Sequence, residues 1–184
     1  MQTVDHDEKF QDLDDLKESV RELLTQFRPY SPPDQRFWHD QIKSILSLIG
    51  MIYGFIPVPE YYVPSITGRN PKKFQRIDMV WNYYCQSDSA LHPMIAFEID
   101  PTLKSRSLNK LIAYDFDWKV QIGAGCSAEQ DRKSVESRLN GTGIEFIIVK
   151  STDNYQEFMT SFTRILDALI FEPNDLEGSF DYSE

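Results

Sequence analysis

Hydrophobic positions recur at three- and four-residue steps over residues 10–27, where Leu13, Leu16, Val20, Leu23, Leu24 and Phe27 would line one face of a helix. The segment "RPYSPPD" breaks that pattern and offers Ser31 and Asp34 as N-caps for a second helix over about residues 34–53. Its stripe is Trp38, Ile42, Ile45, Leu46, Ile49 and Ile52, with His39, Lys43 and Ser47 opposite. The period then shortens. "VPEYYV" (58–63), "FQRIDMVWNYY" (74–84) and "PMIAFEID" (93–100) read as strands, and their short connections predict an antiparallel meander. In the second of these, alternation sets Ile77, Met79, Trp81 and Tyr83 on one face and Arg76, Asp78, Val80 and Asn82 on the other. Beyond residue 104 helices and strands alternate: a helix near 104–116, "WKVQIG" (118–123), a helix near 128–139, "IEFIIV" (144–149) and an amphipathic helix over 153–171. That helix has Tyr155, Phe158, Met159, Phe162, Ile165, Leu166 and Leu169 on one side. Strands alternating with helices imply crossovers, and an all-apolar strand implies cover on both faces. The pattern predicts an α/β fold, a mixed sheet flanked by helices.

Composition changes this picture little. A chain of 184 residues with 41% hydrophobic content suits one well-buried domain. No run approaches a membrane span, and the acidic start "MQTVDHDEKFQDLDDL" has no apolar core of a signal peptide, so no membrane partner and a cytoplasmic location are expected. Two cysteines, Cys85 and Cys126, are too few for a disulfide framework, and His6, His39 and His92 are scattered without ligand spacing, so no zinc site is expected. Net charge is −10, which argues against a phosphate partner until its distribution is considered. Residues 1–27 and 171–184 carry −5 each, and the interval between them is neutral, with sixteen acids and sixteen bases. The expected organisation is an acidic N-terminal helical extension (1–27), one α/β domain (28–171) and an acidic tail (172–184). Acidic ends of this kind are candidates for contact with a protein partner.

The candidate chemistry lies in "IAFEIDPTLKSRSLNK" (95–110). Glu98 and Asp100 stand one residue apart on a strand and so share a face. If that strand pairs with the one carrying Asp78, three carboxylates can converge. Such charges repel unless a cation lies between them, and a hard divalent ion with water and phosphate oxygens is the usual partner. The other reading is a wet edge strand with solvated acids, since E-x-D is a short motif. Arg69, Lys72, Lys73 and Arg76 precede the Asp78 strand, and Lys104, Arg106 and Lys110 follow the acidic pair. Either group could grip phosphates or lie on a solvated face. "GAGCSAE" (123–129) reads as a turn into a helix capped by Ser127, Cys126 has no base tied to it, and Gln121 either lines the site or is an edge polar residue.

The order of "IKSILSLIGMIYGF", "VPEYYV", "RIDMVW" and "FEID", then a helix and a strand, resembles the core of the PD-(D/E)XK nuclease superfamily over about residues 34–125. The resemblance implies a restriction-endonuclease-like sheet with an extra N-terminal helix, and hydrolysis of phosphodiester bonds in DNA with Mg²⁺ or Mn²⁺. Asp78 and Glu98 would be metal ligands, with Asp100 assisting. The lysine expected two residues after Glu98 is Asp100 here, so Lys110, or else Lys104, would take its part on the following helix. Arg69, Lys72, Lys73, Arg76 and Arg106 would face DNA. The superfamily also includes members without activity, which leaves a DNA- or protein-binding module as the alternative. The two long amphipathic helices could pack within one chain or across a homodimer.

Overall fold

The computed structural model describes residues 6–32, 37–64, 74–85, 87–101, 104–124 and 132–171. Helix α1 (His6–Gln26) and helix α2 (Trp38–Ile52) precede three strands, β1 (Ile56–Pro64), β2 (Phe74–Cys85) and β3 (Ala90–Asp100). Then follow α3 (Ser105–Ala113), β4 (Trp118–Ala124), α4 (Arg132–Leu139), β5 (Ile144–Val149) and α5 (Tyr155–Phe171). The five strands form one sheet in the order β1-β2-β3-β4-β5. β1, β2 and β3 make the expected antiparallel meander, while β3–β4 and β4–β5 pair in parallel. β3 is therefore the strand at which sheet direction switches. Crevices beyond the carboxyl ends of strands at such points are where open α/β sheets bind ligands.

Two apolar clusters cover the two faces. The larger joins α1, α2 and α5 to Met79, Trp81, Ile95, Phe97, Val120 and Ile122. The smaller joins Leu108 and Leu111 of α3 and Val135 and Leu139 of α4 to Val80, Ala96 and Ile144. Alternation along β2 fails between Ile77 and Met79, and the β2–β3 register shifts again between Trp81 and Asn82. Ile77 belongs to the smaller cluster, whereas Met79 and Trp81 belong to the larger, so the expected shared face of Ile77, Met79 and Trp81 is not kept. The irregularity behind this falls at Asp78.

α1 is part of the main core. Val20 and Leu24 are fully buried, and Arg21 binds Glu145 of β5. α1 and α5 meet within the chain, with the Phe27 and Phe158 rings edge to face at 6.2 Å. Their stripes thus have a partner in the same molecule. On α2 the stripe is shorter than expected, because Ile52 is exposed and Gly50 takes a buried place against Trp81. Ser31 does not cap α2, whose N-cap is Phe37; the Ser31 N–H instead donates to the Thr152 carbonyl, tying the α1–α2 connection to the start of α5. Asp34, Cys126 and Ser127 lie outside the described residues.

Candidate active site

The β1–β2 register pairs Pro59 with Met79 and Tyr61 with Ile77 but skips Glu60 and Asp78. The β2–β3 register stops at Met79–Phe97, one step before Asp78 and Glu98 would pair. Glu60, Asp78 and Glu98 are thus three acids in one row across three strands, and the ladder opens on both sides of the middle one. Like charges directly opposite one another destabilise a sheet, which gives a physical reason for the opening. Glu60 relieves its part with a left-handed backbone, φ 53°. Its carboxylate accepts from Lys43 of α2, and Arg76 Nη1 lies 3.3 Å from Oε2.

Asp78 fills the gap it creates. Its Oδ2 accepts the Ile99 N–H at 2.8 Å, a donor that the missing ladder would otherwise have used. His39 Nε2 of α2 lies 3.5 Å from the same oxygen. Burial pushes the Asp78 carboxyl up, but the hydrogen bonds from His39 and Ile99 outweigh it and hold the group below its ordinary range. Reciprocally, the hydrogen bond to Asp78 raises His39 against the opposing effect of burial.

Glu98 is the most deeply buried acid described, at 1% exposure. Burial pushes its carboxyl up to about 8, the Asp78 charge pushes the same way, and Lys110 opposes both. Lys110 Nζ lies 2.5 Å from Glu98 Oε1 and 2.6 Å from the Arg76 carbonyl oxygen, which takes its aligned hydrogen bond. Glu98 Oε1 has a charge partner in Lys110 without an aligned donor, and is otherwise unpartnered. On β4, Gln121 pairs with Glu98 in register and donates from Nε2 to the Glu98 carbonyl at 3.3 Å. Gln121 is fully buried, and its Oε1 also has no donor. Gln121 is therefore a core residue beside the acid, not an edge residue.

Asp100 has a different environment. Lys104 Nζ lies 2.5 Å from Oδ1, and Ser107 donates to Oδ2. Both partners belong to the start of α3, so Asp100 anchors that helix to the end of β3. Anchoring in this way turns α3 so that Lys110, less than one turn beyond Ser107, reaches Glu98. The two candidate lysines are thereby separated by place: Lys104 pairs with Asp100, and Lys110 stands beside Glu98. The wet-strand reading does not describe these acids, since Glu98 and Asp100 are both buried.

Every acid of the group has its own cation: Lys43 and Arg76 for Glu60, His39 for Asp78, Lys110 for Glu98, Lys104 for Asp100. Sequence reasoning missed Glu60, His39 and Lys43. The one signal was His39 and Lys43 four residues apart on the polar side of α2, immediately before the strands. Arg76 is engaged with Glu60 and lies 6.0 Å from the Tyr62 ring, while Arg106 is exposed on α3. Arg69, Lys72 and Lys73 lie outside the described residues. A groove of about 780 Å³ runs along the free edge of β5 between Arg21 and Leu139, and no residue of the acid row lines it.

Asp78, Glu98 and Gln121 supply oxygen donors of the type a hard divalent cation takes. Among the described residues, however, the acids of the row, with Asp100, do not form a group of three ligand atoms within 4.8 Å of one another, so the expected convergence of three carboxylates is not kept. Comparison of the chain with protein-family models, curated proteins and solved structures gives no match to any of them.

Proposed function

We propose that the chain is a divalent-metal-dependent nuclease of restriction-endonuclease-like fold that hydrolyses phosphodiester bonds in DNA. One observation carries the reading: a buried lysine, Lys110, holds its ammonium 2.5 Å from Glu98 where the ladder opens at Asp78. Asp78 and Glu98 would hold Mg²⁺ or Mn²⁺, which when bound lowers the pKa of a coordinated water and neutralises phosphate charge. Lys110 is the group placed to stabilise charge on the phosphate or to orient that water. Asp100 and Lys104 act through α3, by fixing where Lys110 stands. His39 keeps Asp78 ionised and oriented from the opposite layer. Arg106, on the exposed side of α3, is a candidate for contact with the DNA backbone.

The test is cleavage of single-stranded, duplex and branched DNA with Mg²⁺ or Mn²⁺. Lys110→Met and Asp78→Asn should each lower the rate by 10²-fold or more, the order expected when a charge-stabilising group is removed. Cleavage at the parent rate by Asp78→Asn would defeat the reading. A second reading, a binding module of the same fold without catalysis, is favoured by the separate cation that each acid already has. It predicts DNA binding that is unchanged by Mg²⁺ and no cleavage on any substrate.

A further inference from the structure

At the far end of the β2–β3 hairpin, Cys85 Sγ, one Asp88 carboxylate oxygen and one His92 ring nitrogen all lie within 4.8 Å of one another. The spacing is Cys-x₂-Asp-x₃-His across a turn, in which Cys85 pairs with Ala90 and Tyr83 pairs with His92. Cys85 and Tyr83 share a face of β2 by alternation, which brings the thiol diagonally over the His92 ring. Each ligand is already aimed. The Tyr83 ring stacks on His92 at 5.1 Å and 23°, fixing the imidazole plane. The Ala90 N–H donates to Asp88 Oδ1 at 3.0 Å, so Oδ2 is left facing His92 Nε2, 2.7 Å away. The Cys85 thiol lies 3.0 Å from the Ser87 hydroxyl and is half-buried.

We infer that Cys85, Asp88 and His92 form a zinc-binding site at the hairpin tip, separate from the acid row and independent of the proposed nuclease activity. Tetrahedral zinc with bonds of about 2.0–2.3 Å sets its donors about 3.3–3.8 Å apart. The hairpin meets this once the His92–Asp88 contact opens slightly and the thiol moves inward. On binding, the Cys85 S–H bond breaks, its proton leaves to solvent and the sulfur bonds the metal. His92 binds through Nε2 with its proton on Nδ1, and Asp88 exchanges its hydrogen bond to His92 for a bond to the metal. Thiolate and imidazole donors select zinc over the magnesium suited to the all-oxygen acid row. Three protein ligands leave one position open to water, the coordination that catalytic rather than structural zinc sites use. Both Asp88 and His92 are exposed enough for the ion to enter, with side-chain exposures of 48% and 39%.

The experiment is titration of the reduced full-length chain with Co²⁺, followed by displacement with Zn²⁺. The expected result is one equivalent of tetrahedral Co²⁺ with a sulfur-to-cobalt charge-transfer absorption that Zn²⁺ abolishes. Cys85→Ser should remove that absorption, and His92→Gln should weaken Zn²⁺ binding by about tenfold or more. Cys126→Ser and Asp78→Asn should leave both unchanged, and circular dichroism checks that each variant is folded. The inference is overturned if the absorption survives in folded Cys85→Ser, disappears in Cys126→Ser, or never forms. Loss of Zn²⁺ binding in Asp78→Asn would instead assign the metal to the acid row and also overturn it.

Discussion

Glu98 has a carboxyl raised from 4.5 to about 8, so the fold prefers its protonated form. Stability from this preference is complete below pH 4.5, falls as pH rises, and stops falling above about 8. Glu98→Gln keeps a neutral group of similar shape. Its melting temperature should therefore decline less than the parent's between pH 5 and 8, as thermal unfolding across that range would show. His39 tests the other side of the site. Its pKa lies above the ordinary 6.5 because of Asp78. The His39 ring protons followed by NMR should titrate above 6.5 in the parent, and at a lower pH in Asp78→Asn; identical titration would mean that the pair is not formed. At this scale the sequence marked Asp78, Glu98, Asp100 and Lys110 as candidates but could not assign their charge partners. Which lysine faces which acid depends on how α3 is turned, and the Ser107–Asp100 hydrogen bond sets that turn.

Among the elements, α2 shows how closely one helix must approach the sheet to bring His39 and Lys43 to the acid row. A Cβ on Gly50 would stand 2.8 Å from Trp81 Cε2 and Nε1. Gly50→Ala gains about 1 kcal/mol in helix propensity, against about 1–3 kcal/mol for overpacking a filled core. The expected outcome is net destabilisation, read as a lower urea midpoint at unchanged slope. Restored stability in Gly50→Ala with Trp81→Phe would confirm the contact as the cause. Periodicity located α2 by its single apolar stripe, and β2 and β3 by their short apolar runs, although both strands are covered on two faces. It misjudged Ile77, since alternation is a property of a continuous ladder and the ladder opens at Asp78. It also offered Ser31, beside Asp34, as a candidate cap, whereas the Ser31 backbone is committed to Thr152, far along the chain.

For the molecule as a whole, α1 and α5 close the larger cluster over β4 and β5. Leu24 is fully buried there, and Leu24→Ala should cost about 2–5 kcal/mol, measured by chemical denaturation. A loss well under 1 kcal/mol would show that α1 is not integral to the core. No helix among the described residues is long and apolar enough to cross a membrane. The α/β class, the order of elements and the meander were set by the sequence alone, because periodicity and connection length are local properties of the chain. Tertiary structure decided what the acids face. The row of Glu60, Asp78 and Glu98 joins residues from three strands, and its cations come from helices on both layers and from Arg76 of β2. The ligand atoms of Cys85, Asp88 and His92 likewise come within 4.8 Å of one another only once the β2–β3 turn closes. Coulomb energy and burial depend on distance in space, and spacing along the chain does not determine that distance.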